Sequence, residues 1–146
     1  MRDTKFRGKS DLTIAELEEA GVPHKNGWIV GNLIGNEKLP VIVGPIVDCS
    51  DEYFNTEWWA SVIPETVGQY TGLKDKNGVE IYEGDIFRGK SGFMIVKFEN
   101  GAVITEYKFN IRGYEEVNSM HLSVTSRGAK VIGNIHDNPE LLEVAK

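Results

Sequence analysis

The sequence predicts a mainly β protein with a small closed barrel in its C-terminal part, a β-rich N-terminal region and a short helix near each end. Three observations predict it. Short apolar, β-branched runs recur from residue 28 to residue 135, separated by Gly, Asn, Asp and Pro. Asn-Gly pairs stand at 77–78 and 100–101, where a tight turn needs φ > 0. Helix start signals are confined to residues 10–16 and 138–140.

The elements follow in order. Ser10 or Asp11 can open a helix that runs to about Ala20. Thr13 and Glu16 have capping-box spacing, and Gly21 then Pro23 stop the helix. Glu16, Glu18 and Glu19 crowd acid toward the unfavourable end of the helix dipole, so this helix depends on packing through Ile14 and Leu17. Residues 28–34 and 41–47 read as strands joined by a turn at 35–38. Pro40 and Pro45 make the second an edge or interrupted strand, because proline cannot donate to a ladder. Residues 48–56 are polar and acidic and read as a loop. Residues 57–63, which hold Trp58 and Trp59, are ambiguous.

Residues 66–70 read as a strand and 75–78 as a turn. Residues 79–82 and then 86–88 follow as strands around Glu83-Gly84-Asp85. The clearest hairpin joins 93–98 to 102–109 through Glu99-Asn100-Gly101. Val103, Thr105, Tyr107 and Phe109 alternate with Ala102, Ile104, Glu106 and Lys108, which implies one half-buried face. Two more strands are expected near 121–124 and 130–135. Asn138 as N-cap, Pro139 at N1 and Glu140 begin a final helix that docks through Leu141 and Leu142. These elements divide the chain into 1–65, with its helix near 12–20, and 66–146. Trp28, Trp58 and Trp59 are expected to pack between the two.

Composition narrows the class. With 146 residues, 40% apolar and 26% charged, the chain can bury one good core or two small ones. A single cysteine, Cys49, allows no internal disulfide and fits a reducing cytosol. The first eleven residues hold no apolar stretch like that of a signal peptide. The apolar run 39–47 contains two prolines and a glycine and is too short to span a bilayer. A cytoplasmic protein without membrane association is expected.

No chemistry is expected. Asp75, Glu80, Glu83 and Asp85 cluster in sequence, but Asp75 sits in a turn and Gly84-Asp85 resembles the entry to a strand, so structural roles are expected. His24, His121 and His136 are far apart and offer no zinc spacing. Cys49 lies among Asp48, Asp51 and Glu52, surroundings that work against a thiolate nucleophile. The glycines at 31 and 35 lack a Walker lysine and lie between strands. No cofactor, metal or catalytic residue is assigned.

Two binding readings remain. The acidic stretch around 48–57 carries Tyr53 and Phe54 and leads into Trp58 and Trp59, the acidic-aromatic mixture of a protein-interaction surface. The net charge of −6 hides an asymmetry: residues 86–135 hold seven Lys/Arg against four Asp/Glu. Lys97, Lys108, Arg112, Arg127 and Lys130, interleaved with Phe98, Tyr107, Phe109 and Tyr114, make nucleic-acid binding the alternative.

The block at 66–85, TVGQYTGLKDKNGVEIYEGD, and the block at 131–142, VIGNIHDNPELL, resemble the signatures of the YopX-like family, small proteins mostly of bacteriophages and prophages. Lys5-Phe6-Arg7-Gly8, and Gly27-Trp28 with the apolar strand after it, fit the same family. Residues 10–25 and 113–126 depart from it. The resemblance implies an SH3-type barrel at about 66–137 and a phage accessory role, and it carries no established biochemical activity. The expected function is a non-enzymatic protein-interaction module that self-associates and binds host or phage protein.

Overall fold

The chain is mainly β. The computed structural model describes residues 3–89, 92–112, 114–122 and 127–143. It forms two compact units, residues 1–69 and 70–146.

Unit 1 opens with β1 (Phe6–Lys9), helix α1 (Ile14–Glu19), β2 (Trp28–Gly35) and β3 (Pro40–Val43). It continues with β4 (Ile46–Cys49), β5 (Phe54–Thr56), β6 (Trp59–Ser61) and a 3-10 turn (Pro64–Thr66). Its main sheet runs β6-β3-β2-β1, all antiparallel, and Gly68 and Gln69 of β7 (Gly68–Lys74) pair on the far side of β1. After β6 the chain returns to β1. Ser10 bridges Val62, and the Ile63 N–H donates to the Lys9 carbonyl at 2.8 Å. The strands therefore wrap a core of Leu17, Val22, Ile29, Ile42, Ala60 and Val62, with Trp58 and Val67 packed on it.

Helix α1 has the expected cap. The Thr13 hydroxyl accepts from the Glu16 N–H, and the Glu16 carboxylate accepts from the Thr13 N–H. At the other end the Val22 N–H donates to the Leu17 carbonyl and the Gly21 N–H to the Glu18 carbonyl, a Schellman closure that seats Val22 beside Leu17. Only Leu17 of the two expected anchors is buried; Ile14 is half exposed. A six-residue helix turns too few side chains inward to bury both.

The run 41–47 is interrupted as expected: it is two strands, broken at Gly44-Pro45, where Pro45 has no N–H to give. Residues 48–56 are largely paired: β4 and β5 form a two-stranded ribbon joined at Asp51-Glu52. The ambiguous stretch 57–63 contains β6. The strand expected at 66–70 begins at Gly68, since Thr66 closes the 3-10 turn, donating to the Ile63 carbonyl and accepting from the Lys9 N–H.

Unit 2 holds the rest of β7, β8 (Glu80–Tyr82), β9 (Asp85–Gly89), β10 (Gly92–Glu99), β11 (Ala102–Ile111), β12 (Tyr114–His121), β13 (Val131–Asn134) and a closing helix (Glu140–Glu143). Its main sheet runs β12-β11-β10-β9-β13. Among the described residues this sheet is open, with β12 at one edge and β13 at the other, so the described pairings do not form the closed barrel expected here. The strand expected at 121–124 is β12 as far as His121; residues 123–126 lie outside the described residues. The hairpin at 92–111 turns as expected. Asn100 and Gly101 both have positive φ, 50° and 77°, as a two-residue type I′ turn requires. The core is Ile81, Phe87, Val96, Leu122 and Ala129, with Leu73, Met94, Val103 and Val131 against it.

One carboxylate ties this unit together. Asp75 Oδ1 accepts from the N–H groups of Asn77 (2.8 Å) and Val79 (2.9 Å), and Oδ2 accepts from Val131 N–H (2.9 Å). The Lys76 N–H adds a bond to the Ala129 carbonyl. Burial pushes the Asp75 carboxyl up, but the N–H groups of Val131, Val79 and Asn77, with Lys76 nearby, outweigh it and hold it below the ordinary carboxylate range. Thr71 donates to the Ile81 carbonyl, and buried Asp85 accepts from the Tyr82 N–H at 2.8 Å. These polar side chains of the 66–85 block bond to backbone groups, within the block and, for Asp75, also at Val131.

Asp75→Ala is expected to cost unit 2 about 2–4 kcal/mol, from lost hydrogen bonds and buried N–H groups left bare. The folded carboxyl titrates below its unfolded value of about 3.9. Its contribution is therefore fully present above that value and is lost as pH falls through the folded one. Urea unfolding of wild type and variant should show the full gap at pH 7 and a narrower gap near pH 3.

Candidate functional site

The segment 40–61 is one long hairpin with a kink. Val41, Ile42 and Val43 face Ser61, Ala60 and Trp59. The Gly44 N–H then donates to the Trp58 carbonyl, and the Glu57 N–H to the Pro45 carbonyl, so pairing continues past Gly44-Pro45 into Ile46↔Thr56. A bulge at Val47 shifts the register, after which Asp48 faces Asn55 and Cys49 faces Phe54. The Ser50 N–H closes the tip on the Tyr53 carbonyl at 2.8 Å. The base of the hairpin belongs to the core sheet. The distal half, β4 and β5, pairs only with itself among the described strands.

This ribbon is two-faced. Residues directly opposite in an antiparallel pair share a face. Ile46, Cys49, Phe54 and Thr56 therefore lie on one side, uncharged, while Asp48 and Asn55 lie on the other. Tyr53 donates its hydroxyl to the Asp48 carboxylate at 3.2 Å, which fixes a carboxylate beside an aromatic ring. Every β4 side chain is exposed, with Ile46 at 61% and Val47 at 63%, and Phe54 stands at 54%. Isolated two-stranded ribbons are marginal in water, and apolar side chains on one leave their surface hydrated.

The adjacent tryptophans part company. Trp58 packs on the unit 1 core, and its indole lies so close over Gly44 that a Cβ there would meet it at 2.5 Å. Trp59 is 64% exposed on edge strand β6. Of the four expected interaction residues, Tyr53, Phe54 and Trp59 are displayed and Trp58 is a core residue. Trp28 is half-buried, with the Arg7 guanidinium 5.0 Å from its ring centroid. Ile46 and Val47 were missed as surface residues. The signal was present: a proline break, then an apolar pair, then an Asp-Glu turn and an aromatic pair.

The basic residues of unit 2 are not gathered by any described contact. Lys97 Nζ sits 2.7 Å from Glu106 Oε1, a cross-strand ion pair on β10 and β11. Arg112, Arg127 and Lys130 are exposed. The side chain of Lys108 lies outside the described residues, as do those of Phe109 and Tyr114. The Glu83 carboxyl is raised above the ordinary range; burial raises it, partly offset by the Phe98 N–H. Among the described residues no cluster of His, Cys, Asp and Glu can hold a metal ion, and no helix is long and apolar enough to cross a membrane.

The fold and its turn chemistry define a two-unit, mainly β protein, and a family model covers the later part of unit 1 and most of unit 2. The model described as YopX protein matches residues 41–143, and the chain belongs to the YopX family. The match takes in the whole ribbon as well as unit 2 as far as Glu143. The crystal structure of protein EF1440 from Enterococcus faecalis is similar in fold, with a TM-score of 0.57 at 24% identity, over 97% of this chain and 99% of that one. No curated protein matches the chain.

Trp58→Ala is expected to cost about 2–3 kcal/mol, a half-buried aromatic lost from the core. Trp59→Ala should change stability by less than about 0.5 kcal/mol. Thermal unfolding of the two variants side by side checks the assignment; equal losses would place Trp59 in the core as well.

Proposed function

We propose that this chain is a non-enzymatic, cytoplasmic phage or prophage accessory protein that binds protein through its acidic-aromatic ribbon and associates with itself. The carrying observation is the ribbon: Ile46, Val47, Tyr53 and Phe54 are exposed on strands whose only described partners are each other. Trp59 continues the apolar display on the adjoining edge strand. Aromatic anchors beside carboxylates suit a protein partner, and Asp48, Asp51, Glu52 and Glu57 repel a polyanion. Family membership supports the phage setting. Host or phage protein is the further partner class for the same surface.

We also propose that unit 2 is an SH3-type barrel in its topology. Four consecutive strands form an antiparallel meander, and the fifth returns beside the first, giving the order β12-β11-β10-β9-β13. That order is what an SH3-type barrel shows when unrolled.

The alternative function is nucleic-acid binding by unit 2 through Lys97, Lys108, Arg112, Arg127 and Lys130. The exposure of Arg112, Arg127 and Lys130 favours it. The Lys97–Glu106 pair counts against it, since a lysine already neutralised releases fewer counterions.

Two measurements separate the readings. Sedimentation of the full chain across a concentration series should show association that Phe54→Asp weakens. Titration with single- and double-stranded nucleic acid at two salt concentrations should show no binding. A monomer at every concentration sinks the self-association. Micromolar nucleic-acid binding that falls several-fold with salt and on Arg127→Ala/Lys130→Ala promotes the alternative.

A further inference from the structure

The outer edge of β5 presents backbone groups to which no described strand is paired. The Tyr53 carbonyl and the Glu57 N–H both point at β4, accepting from Ser50 and donating to Pro45. The bulge of the ribbon lies on β4, so alternation along β5 is unbroken. Residues 53, 55 and 57 therefore turn their peptide groups inward, and Phe54 and Thr56 turn theirs outward. Among the described strands β5 has β4 on one side and no other neighbour.

We propose that two copies of this chain join β5 to β5, antiparallel, about a two-fold axis at Asn55. This inference rests on the self-association reading above and names its surface and register. Phe54 then exchanges both backbone hydrogen bonds with the partner's Thr56, and Thr56 with the partner's Phe54. The strand is self-complementary in this register: a two-fold contact must present the same patch twice, and the outward groups of residues 54 and 56 are equidistant from 55.

Side chains fit as well as backbone. The Ile46, Cys49, Phe54 and Thr56 faces of the two ribbons become one four-stranded uncharged surface. Phe54 lies beside the partner's Thr56 on that face, an aromatic against a β-branched residue. Tyr53 comes opposite the partner's Glu57, and Asn55 opposite itself, so no carboxylate on β5 faces a carboxylate. Charge also chooses the occupant. The flanking Asp48, Asp51, Glu52 and Glu57 disfavour an acidic strand in any register that sets it against them, whereas the copy's own register keeps the acids apart. A three-residue edge is small, and association in the micromolar range is expected of an interface below roughly 1,000 Å².

The register has a covalent readout. Asn55 and the partner's Asn55 form a non-hydrogen-bonded pair, whose Cα atoms stand about 4.5 Å apart. That separation lies within the span of a disulfide, about 4.4–6.8 Å. In the full-length chain with Cys49→Ser, Asn55→Cys should cross-link under mild oxidation about tenfold faster than Asp51→Cys. The Asp51 Cα atoms would sit roughly 26 Å apart, eight residues out of register. Asn55 is exposed, so the substitution leaves the core untouched. As a second arm, Asn55→Asp and Asn55→Lys should each weaken the dimer, and mixing the two should restore it.

Fast cross-linking at 55 with rescue by mixing establishes the register. A wild-type dimer whose Asn55→Cys variant cross-links no faster than Asp51→Cys overturns the β5 pairing while leaving self-association standing. A wild type that stays monomeric overturns both.

Discussion

A chain made mostly of short strands has to find a lateral partner for each of them. Peptide N–H and C=O groups left without one, away from water, cost as much as a lost hydrogen bond, and exposed edges invite other chains. Much of this architecture answers that demand. In unit 1 the segment after β6 comes back to β1 through Ser10 and Val62, so the sheet wraps its core instead of ending flat. In unit 2 the last strand returns to cover β9, leaving β12 and β13 as edges. Among the described strands the ribbon also leaves the demand unmet within one chain, and there apolar surface is exposed beside the free edge.

Electrostatics has a smaller part and a different one in each unit. In unit 2 carboxylates are spent on backbone: Asp75 gathers N–H groups from Asn77, Val79 and Val131, and Asp85 one from Tyr82. Glu106 is spent on Lys97. In unit 1 the acids of the ribbon, Asp48, Asp51, Glu52 and Glu57, stay at the surface. The same residue type thus bonds backbone in the turns of unit 2 and at the Thr13–Glu16 cap, and lies solvated along the ribbon.

Local chemistry was legible and lateral chemistry was not. The Thr13–Glu16 box, the Asn100-Gly101 turn and the Asp75 turn could be read because each depends on residues within four positions of one another. The Lys97–Glu106 pair was within reach too. A two-residue turn at 100–101 sets Glu99 opposite Ala102, which puts Glu106 on the diagonal from Lys97. Strand order escaped the reading, because alternation tells which face a side chain takes and not which strand lies beside it. The ribbon escaped because its polar composition resembles a loop. Trp58 and Trp59 could be separated only after the phase of β6 was known, and that phase comes from Ala60 and Val62 entering the core.

The bond from Val131 N–H to the Asp75 carboxylate spans 56 residues of chain. During synthesis Asp75 emerges well before its partner. At ribosomal rates of about 5–20 residues per second, the carboxylate spends roughly 3–11 s as a hydrated surface group holding only its own turn. Unit 1 has no such wait, since its core strands, β1, β2, β3 and β6, end at Ser61 and the residues that close it follow at once. The nascent chain therefore carries a finished first unit while the second is still an open meander. Strand β9, whose free side β13 will later cover, is exposed for the later part of that interval in the tethered chain. The crowded moment for this protein is not its folded life but the seconds between the eighty-fifth residue and the hundred-and-thirty-first.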